Sequence, residues 1–256
     1  MIQVEKPFGG RYEKLSTGAQ IRFHQGEGEG LLPTVLIVHG WKSAVFSSEI
    51  YVQGAQALCE QGYNVVMLSM RGHPGAEGSI SEVTRHDNLN DIKAAVRWIQ
   101  ECPETDATRL CAWGTSYGGY LLSVLCPQIH FELLALRAPA SYPEKGWDEP
   151  FEPVTSEELA EWRKVEHDMR DESALAGLEE FRGDFFMVNG SNDETMPPTV
   201  GAGYGRASLR ARSRFIYVLD GAPHTLREPH RSQFISHLAT WFGEHRPKPS
   251  LTPAVP

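Results

Sequence analysis

At 256 residues and 41% hydrophobic content, the chain is long enough for one enzyme-sized domain with a substantial core. Its net charge of −9 comes without any long basic run, which argues against nucleic acid or an anionic membrane surface as a partner. No apolar stretch approaches the roughly 20 residues that a bilayer span needs, and Met1–Pro7 lacks a charged-then-apolar leader pattern, so membrane insertion is not expected.

In chain order, Gln20–His24 alternates apolar and polar residues and predicts an antiparallel strand at a sheet edge. Thr34–Val38 is a continuous apolar run ending at His39-Gly40-Trp41, and Asn64–Ser69 is a second run. Ile50–Gln61 between them predicts a helix. Asn90–Gln100 predicts another, with Ile92, Ala95, Val96 and Ile99 on one face. Arg109–Trp113 is the third run. Leu133–Leu136, Asp184–Val188 and Phe215–Leu219 follow, and Ser232–Glu244 carries an apolar helical stripe. Continuous rather than alternating runs are the pattern of parallel strands buried on both faces, so the expected class is α/β: a mostly parallel sheet flanked by helices on both faces. One domain is expected over 1–246. Pro139–Gly183, rich in Glu, Trp and Pro, reads as a small cap over the carboxyl edge of the sheet. The proline-rich 247–256 reads as a disordered tail. The four cysteines, Cys59, Cys102, Cys111 and Cys126, form no C-x-x-C pair, which points to a reducing compartment, the cytoplasm.

Gly114-Thr115-Ser116-Tyr117-Gly118 matches G-x-S-x-G, with a strand before it and the apolar helix face Tyr120–Leu125 after it. A serine on such a turn is forced outward, and the new helix aims open N–H groups and its positive end at the same place. A hydroxyl needs a base to become a nucleophile, and the base needs an acid to orient it. Asp193 follows the run Asp184–Val188, and His224 follows Phe215–Leu219. The order Ser116, Asp193, His224 is the one that accompanies a nucleophile elbow. Asp220 and Glu194 compete for the acid's place by adjacency. The expected oxyanion donors are the backbone N–H groups of Tyr117 and Trp41, with Gly40 allowing close approach and His39 holding the loop. Trp147 and Trp162, in the cap, are expected to wall the substrate pocket.

These motifs give the chain a resemblance to α/β-hydrolase-fold serine hydrolases over roughly Pro33–Gly243. His39-Gly40-Trp41, Arg71-Gly72-His73, the Ser116 turn and the late Asp193 and His224 resemble that family in order and spacing. Ser116-Tyr117-Gly118-Gly119-Tyr120 resembles the catalytic domains of prolyl-oligopeptidase-type peptidases. Gly62-Tyr63, Arg71-Gly72-His73 and Glu77-Gly78-Ser79 resemble small cinnamoyl- and acyl-esterase-like members. The resemblance implies the α/β-hydrolase fold and the Ser-His-Asp triad, with no triad role for Arg71-Gly72-His73. The expected activity is cofactor-independent hydrolysis of a small carboxylic ester, with no metal, through an acyl-enzyme. Short-peptide or amide hydrolysis, thioester hydrolysis and acyl transfer use the same parts. A non-catalytic binding protein has no need of all three triad members.

Overall fold

The computed structural model describes residues 9–150 and 156–248, so Met1–Pro7, part of the expected cap and most of the expected tail lie outside the described residues. The strands are β1 (Arg11–Lys14), β2 (Gln20–His24), β3 (Leu32–Val38), β4 (Asn64–Ser69), β5 (Thr105–Thr115), β6 (Leu133–Arg137), β7 (Asp184–Gly190) and β8 (Ser213–Leu219). The helices are α1 (Glu49–Glu60), α2 (Arg85–Glu101), α3 (Tyr117–Leu125), α4 (Ser156–Lys164), α5 (Ser173–Glu179), α6 (Pro198–Ala207) and α7 (His230–Glu244). The strands form one sheet in the order β1-β2-β4-β3-β5-β6-β7-β8, antiparallel at β1-β2 and β2-β4 and parallel from β4 onward. This is the α/β-hydrolase fold. Among the described residues, no helix is long and apolar enough to cross a membrane.

The apolar runs divide between two cores because successive side chains of a strand point to opposite faces. Leu36, Val38, Leu68, Ala112 and Leu134 face one core with Leu89 and Ile92 of α2, Leu121 of α3 and Leu175 of α5. Val35, Ile37, Met67, Trp113 and Leu133 face the other, with Tyr51 and Leu58 of α1 and Phe234 and Trp241 of α7. Each fully buried Leu, Ile or Phe contributes about 1.5–3 kcal/mol, so the central strands are held from both sides. That rigidity fixes where their carboxyl ends deliver the chain.

Three elements differ from expectation. Phe215–Leu219 reads as a strand buried on both faces, yet β8 closes the sheet and Phe215, Ile216, Tyr217 and Val218 are 38–53% exposed. In the sheet it pairs with β7 alone among the described residues, and α7 covers it only through His237 on Tyr217 while packing Phe234 on Trp113 of β5 and Trp241 on Phe186 of β7. Helix α2 begins at Arg85 rather than Asn90. Thr84 caps it reciprocally with Asp87, and its first turns bury polar Arg85, Asn88 and Asp91, which interrupt the apolar periodicity. Helix α6 was not anticipated, being rich in glycine at Gly201, Gly203 and Gly205, but Pro198 opens it.

Candidate active site

The turn between β5 and α3 puts Ser116 at φ 50 and ψ −114, a conformation that costs energy for any side chain. The turn is wedged in place. A Cβ at Gly118 would lie 2.2 Å from the Val38 carbonyl oxygen, so this position excludes every residue but glycine. Ser116 N–H donates to the Arg137 carbonyl at 2.9 Å, and Ala140 N–H donates to the Ser116 carbonyl at 3.0 Å. The hydroxyl is thereby held at the carboxyl edge of the sheet, at the mouth of a cavity.

Asp193 and His224 arrive at the same edge from β7 and β8. His224 Nε2 lies 3.2 Å from Ser116 Oγ, and His224 Nδ1 lies 2.8 Å from Asp193 Oδ2. The second Asp193 oxygen accepts from the N–H groups of Thr195 at 2.9 Å and Met196 at 2.7 Å. Burial would raise this carboxyl, but the His224 contact and the two N–H groups outweigh it and hold Asp193 below its ordinary value. Ionised Asp193 takes its hydrogen bond from Nδ1–H, which leaves the Nε2 lone pair facing the serine. Asp220 instead accepts from Ser191 Oγ at 3.3 Å, and its carbonyl contacts His230 Nε2 at 3.0 Å. Glu194 points into solvent. The geometry therefore joins His224 to Asp193 and to neither competitor.

The loop after β3 lies against the Ser116 turn: a Cβ at Gly40 would stand 3.4 Å from the Ser116 Cβ. Tyr51 Oη accepts from Gly40 N–H at 2.9 Å. His39 Nδ1 contacts the Gly40 carbonyl at 2.7 Å, and His39 Nε2 accepts from Met70 N–H at 3.2 Å, so Nδ1 is the protonated nitrogen. Burial, reinforced by His73, pushes His39 down to about 3, and it is neutral. Trp41 packs edge-on against Tyr117 and His73 at 5.3 and 5.1 Å. The Arg71-Gly72-His73 loop thus backs the Trp41 ring, and Arg71 is anchored to buried Asp91 at 2.8 Å. Trp41 lines the cavity, and Tyr117 is the first residue of α3.

The cavity measures about 660 Å³. Segment 139–183 contributes Tyr142, Leu159 and Arg163 to its lining, but neither tryptophan singled out in the sequence reaches it. Trp147 stacks on His86 and Tyr120 at 5.2 and 5.9 Å and takes the Arg85 guanidinium on its face at 4.6 Å. Trp162 stacks on His167 at 3.7 Å and borders a separate cavity. Trp147 thus docks the segment on α2 and α3, and Trp162 packs within the segment. Sequence reasoning also passed over Lys42, Arg137 and Met196, which line the Ser116 cavity. Arg137 alone carried a signal, as a charge closing the apolar run Leu133–Leu136.

Residues 49–246 match the family described as the prolyl oligopeptidase family. The chain is 25% identical over 83% of its length to acylamino-acid-releasing enzyme 2 of Oryza sativa subsp. japonica, covering 30% of that protein. It is 23% identical over 84% of its length to the acylamino-acid-releasing enzyme of Mus musculus, covering 31%. It therefore spans less than a third of the length of these relatives. Among solved structures, Est1E from Butyrivibrio proteoclasticus, determined with ferulic acid bound, is 14% identical at a TM-score of 0.69, over 92% of this chain and 98% of that one. A puromycin-hydrolyzing peptidase of Mycobacterium tuberculosis is 17% identical at a TM-score of 0.70, over 94% of this chain and 41% of that one. At such identities the structural likeness speaks to the fold.

Proposed function

The chain belongs to the prolyl oligopeptidase family and is a serine hydrolase, and we propose that it cleaves carboxylic esters through Ser116, His224 and Asp193. The observation that carries this reading is the unbroken relay Ser116 Oγ, His224, Asp193 at 3.2 and 2.8 Å. As Oγ bonds to the substrate carbonyl carbon, its proton passes to His224 Nε2. Ionised Asp193 holds the ring in the required tautomer and stabilises the imidazolium that forms. The backbone N–H groups of Trp41 and Tyr117 receive the oxyanion. Collapse breaks the bond to the leaving alcohol, whose oxygen takes the proton from His224. Water, deprotonated by the same nitrogen, then releases the acid from Ser116. No step calls on a cofactor. Segment 139–183 acts as a small cap, walling the pocket with Tyr142 and Leu159 in place of the two tryptophans.

Ester rather than amide cleavage is favoured by the likeness to Est1E, whose full length this chain matches and whose structure holds ferulic acid. The second reading, hydrolysis of acylated aminoacyl or short peptide bonds, is favoured by the acylamino-acid-releasing relatives. A panel of p-nitrophenyl esters of rising acyl length, run beside aminoacyl and N-acyl-aminoacyl amides, separates them. The ester reading expects kcat/KM at least about tenfold higher, after correction for spontaneous reactivity, on the best ester than on the best amide. The reverse order replaces it with the second.

A further inference from the structure

The chain carries a net charge of −9, yet the cavity in front of Ser116 is lined by cations. Among the described lining residues, Lys42, Arg137, Arg163 and Arg231 face one carboxylate, Glu49. Arg231 is engaged, pairing with Glu49 and Glu228. Lys42, Arg137 and Arg163 take part in none of the ion pairs among the described residues. Lys42 is exposed and sits directly after Trp41 in a left-handed backbone conformation, φ 57. Strain at a non-glycine residue of a site loop is the kind that surrounding contacts maintain for function.

Arg137 and Arg163 are each only 6% exposed, so both have given up most of their hydration. A guanidinium has five N–H donors to satisfy. Arg137 Nη1 donates to the His224 carbonyl at 2.5 Å, while its Nε is buried with no acceptor among the described residues. Arg163 Nε donates to the Ser141 carbonyl at 3.0 Å, and its guanidinium lies 4.9 Å from the Tyr142 ring centre. Arg137 feels the field of Asp193 and Arg163 that of Glu172, but neither forms an ion pair with it, and both carboxylates carry other hydrogen bonds. Asp193 holds His224, Thr195 and Met196. Glu172 accepts from Ser141 Oγ at 2.5 Å and Tyr142 N–H at 3.4 Å, and burial pushes it up to about 7, which weakens it as a counterion. Arg109, equally buried, shows the contrast: it donates to Asp106 at 2.6 Å and to the carbonyls of Leu31 and Pro247 at 2.5 and 3.2 Å. Buried charge without a counterion is costly, and at a cavity wall the missing anion can be the ligand.

We propose that this cavity takes substrates bearing a free carboxylate close to the scissile bond, with Arg163 as its principal anchor and Lys42 and Arg137 completing the positive field. A planar carboxylate fits the fork of a guanidinium and would add a charged acceptor to the carbonyl that each arginine meets among the described residues. The inference rests on the serine-hydrolase reading of Ser116 and goes beyond it by naming the substrate class. The carboxylate belongs either to the acyl part or to the leaving alcohol, and the test treats the two separately.

Two matched ester pairs are compared by kcat/KM: p-nitrophenyl hydrogen glutarate against p-nitrophenyl valerate, and 4-carboxyphenyl butyrate against 4-methylphenyl butyrate. The readout is the carboxylated-to-neutral ratio, and its change between wild type and variant cancels intrinsic reactivity. In at least one pair, Arg163→Gln should lower the ratio by about tenfold or more, the worth of one charge-assisted contact. Arg163→Lys should lower it less, and Lys42→Gln by about threefold. Lys42 is exposed, so its variant keeps the test decisive if Arg163→Gln fails to fold. The pair that responds tells which side of the bond carries the carboxylate. A ratio unmoved in both pairs by every folded variant overturns the proposal, as does a wild-type preference for the neutral ester in both pairs. Turnover of neutral esters alone removes only this inference, whereas a folded wild type that cleaves no ester removes the ester-hydrolase reading and this inference together.

Discussion

Ser116, Asp193 and His224 each leave the carboxyl end of a strand in one sheet, and the register of β5, β6, β7 and β8 sets the spacing between them. Tyr142, Leu159 and Arg163, which line the same cavity, belong to a segment with no strand among its described residues. That segment is held by side chains: Arg163 on the Ser141 carbonyl, Tyr204 Oη on the Ala140 carbonyl at 2.6 Å, and Thr199 Oγ1 on the Arg163 carbonyl at 2.6 Å. Backbone ladders position the chemistry, and individually replaceable contacts shape the pocket. Changes on the sheet side should therefore alter rate, and changes on the segment side should alter stability and selectivity.

Ser116→Ala tests the sheet side most severely. It removes the attacking oxygen and almost no packing, so turnover should fall by about 10⁵ or more with the thermal midpoint nearly unchanged. Retention of a tenth of wild-type turnover would take Ser116 out of the mechanism. Asp193→Asn should cost roughly 10⁴ in kcat by presenting the wrong hydrogen-bonding partner to His224, while Asp220→Asn should change kcat by less than about threefold. Greater damage from Asp220→Asn, with both proteins folded, would break the assignment of the acid.

On the segment side, Glu172 gives a pH signature. Burial, only partly offset by Ser141 and Tyr142, raises its carboxyl from an ordinary 4.5 to about 7, with Glu144 adding to the rise and Arg163 opposing it. Between those values the folded chain keeps a proton that the unfolded chain has released, so this contribution is fully present below about 4.5 and is lost as pH rises through 7. The loss is on the order of 3 kcal/mol. Glu172→Gln should flatten it: relative to wild type, the variant's Tm should rise between pH 5 and 8, by on the order of 5–10 °C. Parallel pH profiles would contradict the buried, proton-holding carboxyl. The smallest effect is expected at Trp147→Ala, which strips the ring stacked on His86 and Tyr120. It should cost about 1–2 kcal/mol in denaturant unfolding, since the ring is half-buried. The order of preference among acyl chain lengths should stay as in wild type, and a reordered profile would return Trp147 to the pocket wall.

The same division governs what could be read from the sequence. Apolar runs such as Thr34–Val38 and Asn64–Ser69 announce central parallel strands because burial on both faces leaves no polar position. Ser116 was legible because its glycine neighbours answer a steric demand, and Asp193 and His224 because they follow strands at the edge where Ser116 stands. Exposure of β8 was not legible, since Phe215–Leu219 has the composition of a central strand and its place at the sheet edge is a property of topology. Trp147 and Trp162 misled for a related reason: a large aromatic must be covered by something, and here the cover is His86, Tyr120 and His167 rather than a substrate. Arg163 stayed hidden because a charged residue in sequence reads as surface, and only the fold reveals that it is buried beside the cavity.

Whether the relay from Asp193 through His224 makes Ser116 a nucleophile is decided by reacting the folded protein with a fluorophosphonate probe and mapping the adduct by mass spectrometry. One modified residue is expected, Ser116, with labelling abolished in Ser116→Ala and slowed by at least about a hundredfold in His224→Ala. A folded wild-type protein that remains unlabelled, or labelling of Ser116 that proceeds at the same rate without His224, would contradict it.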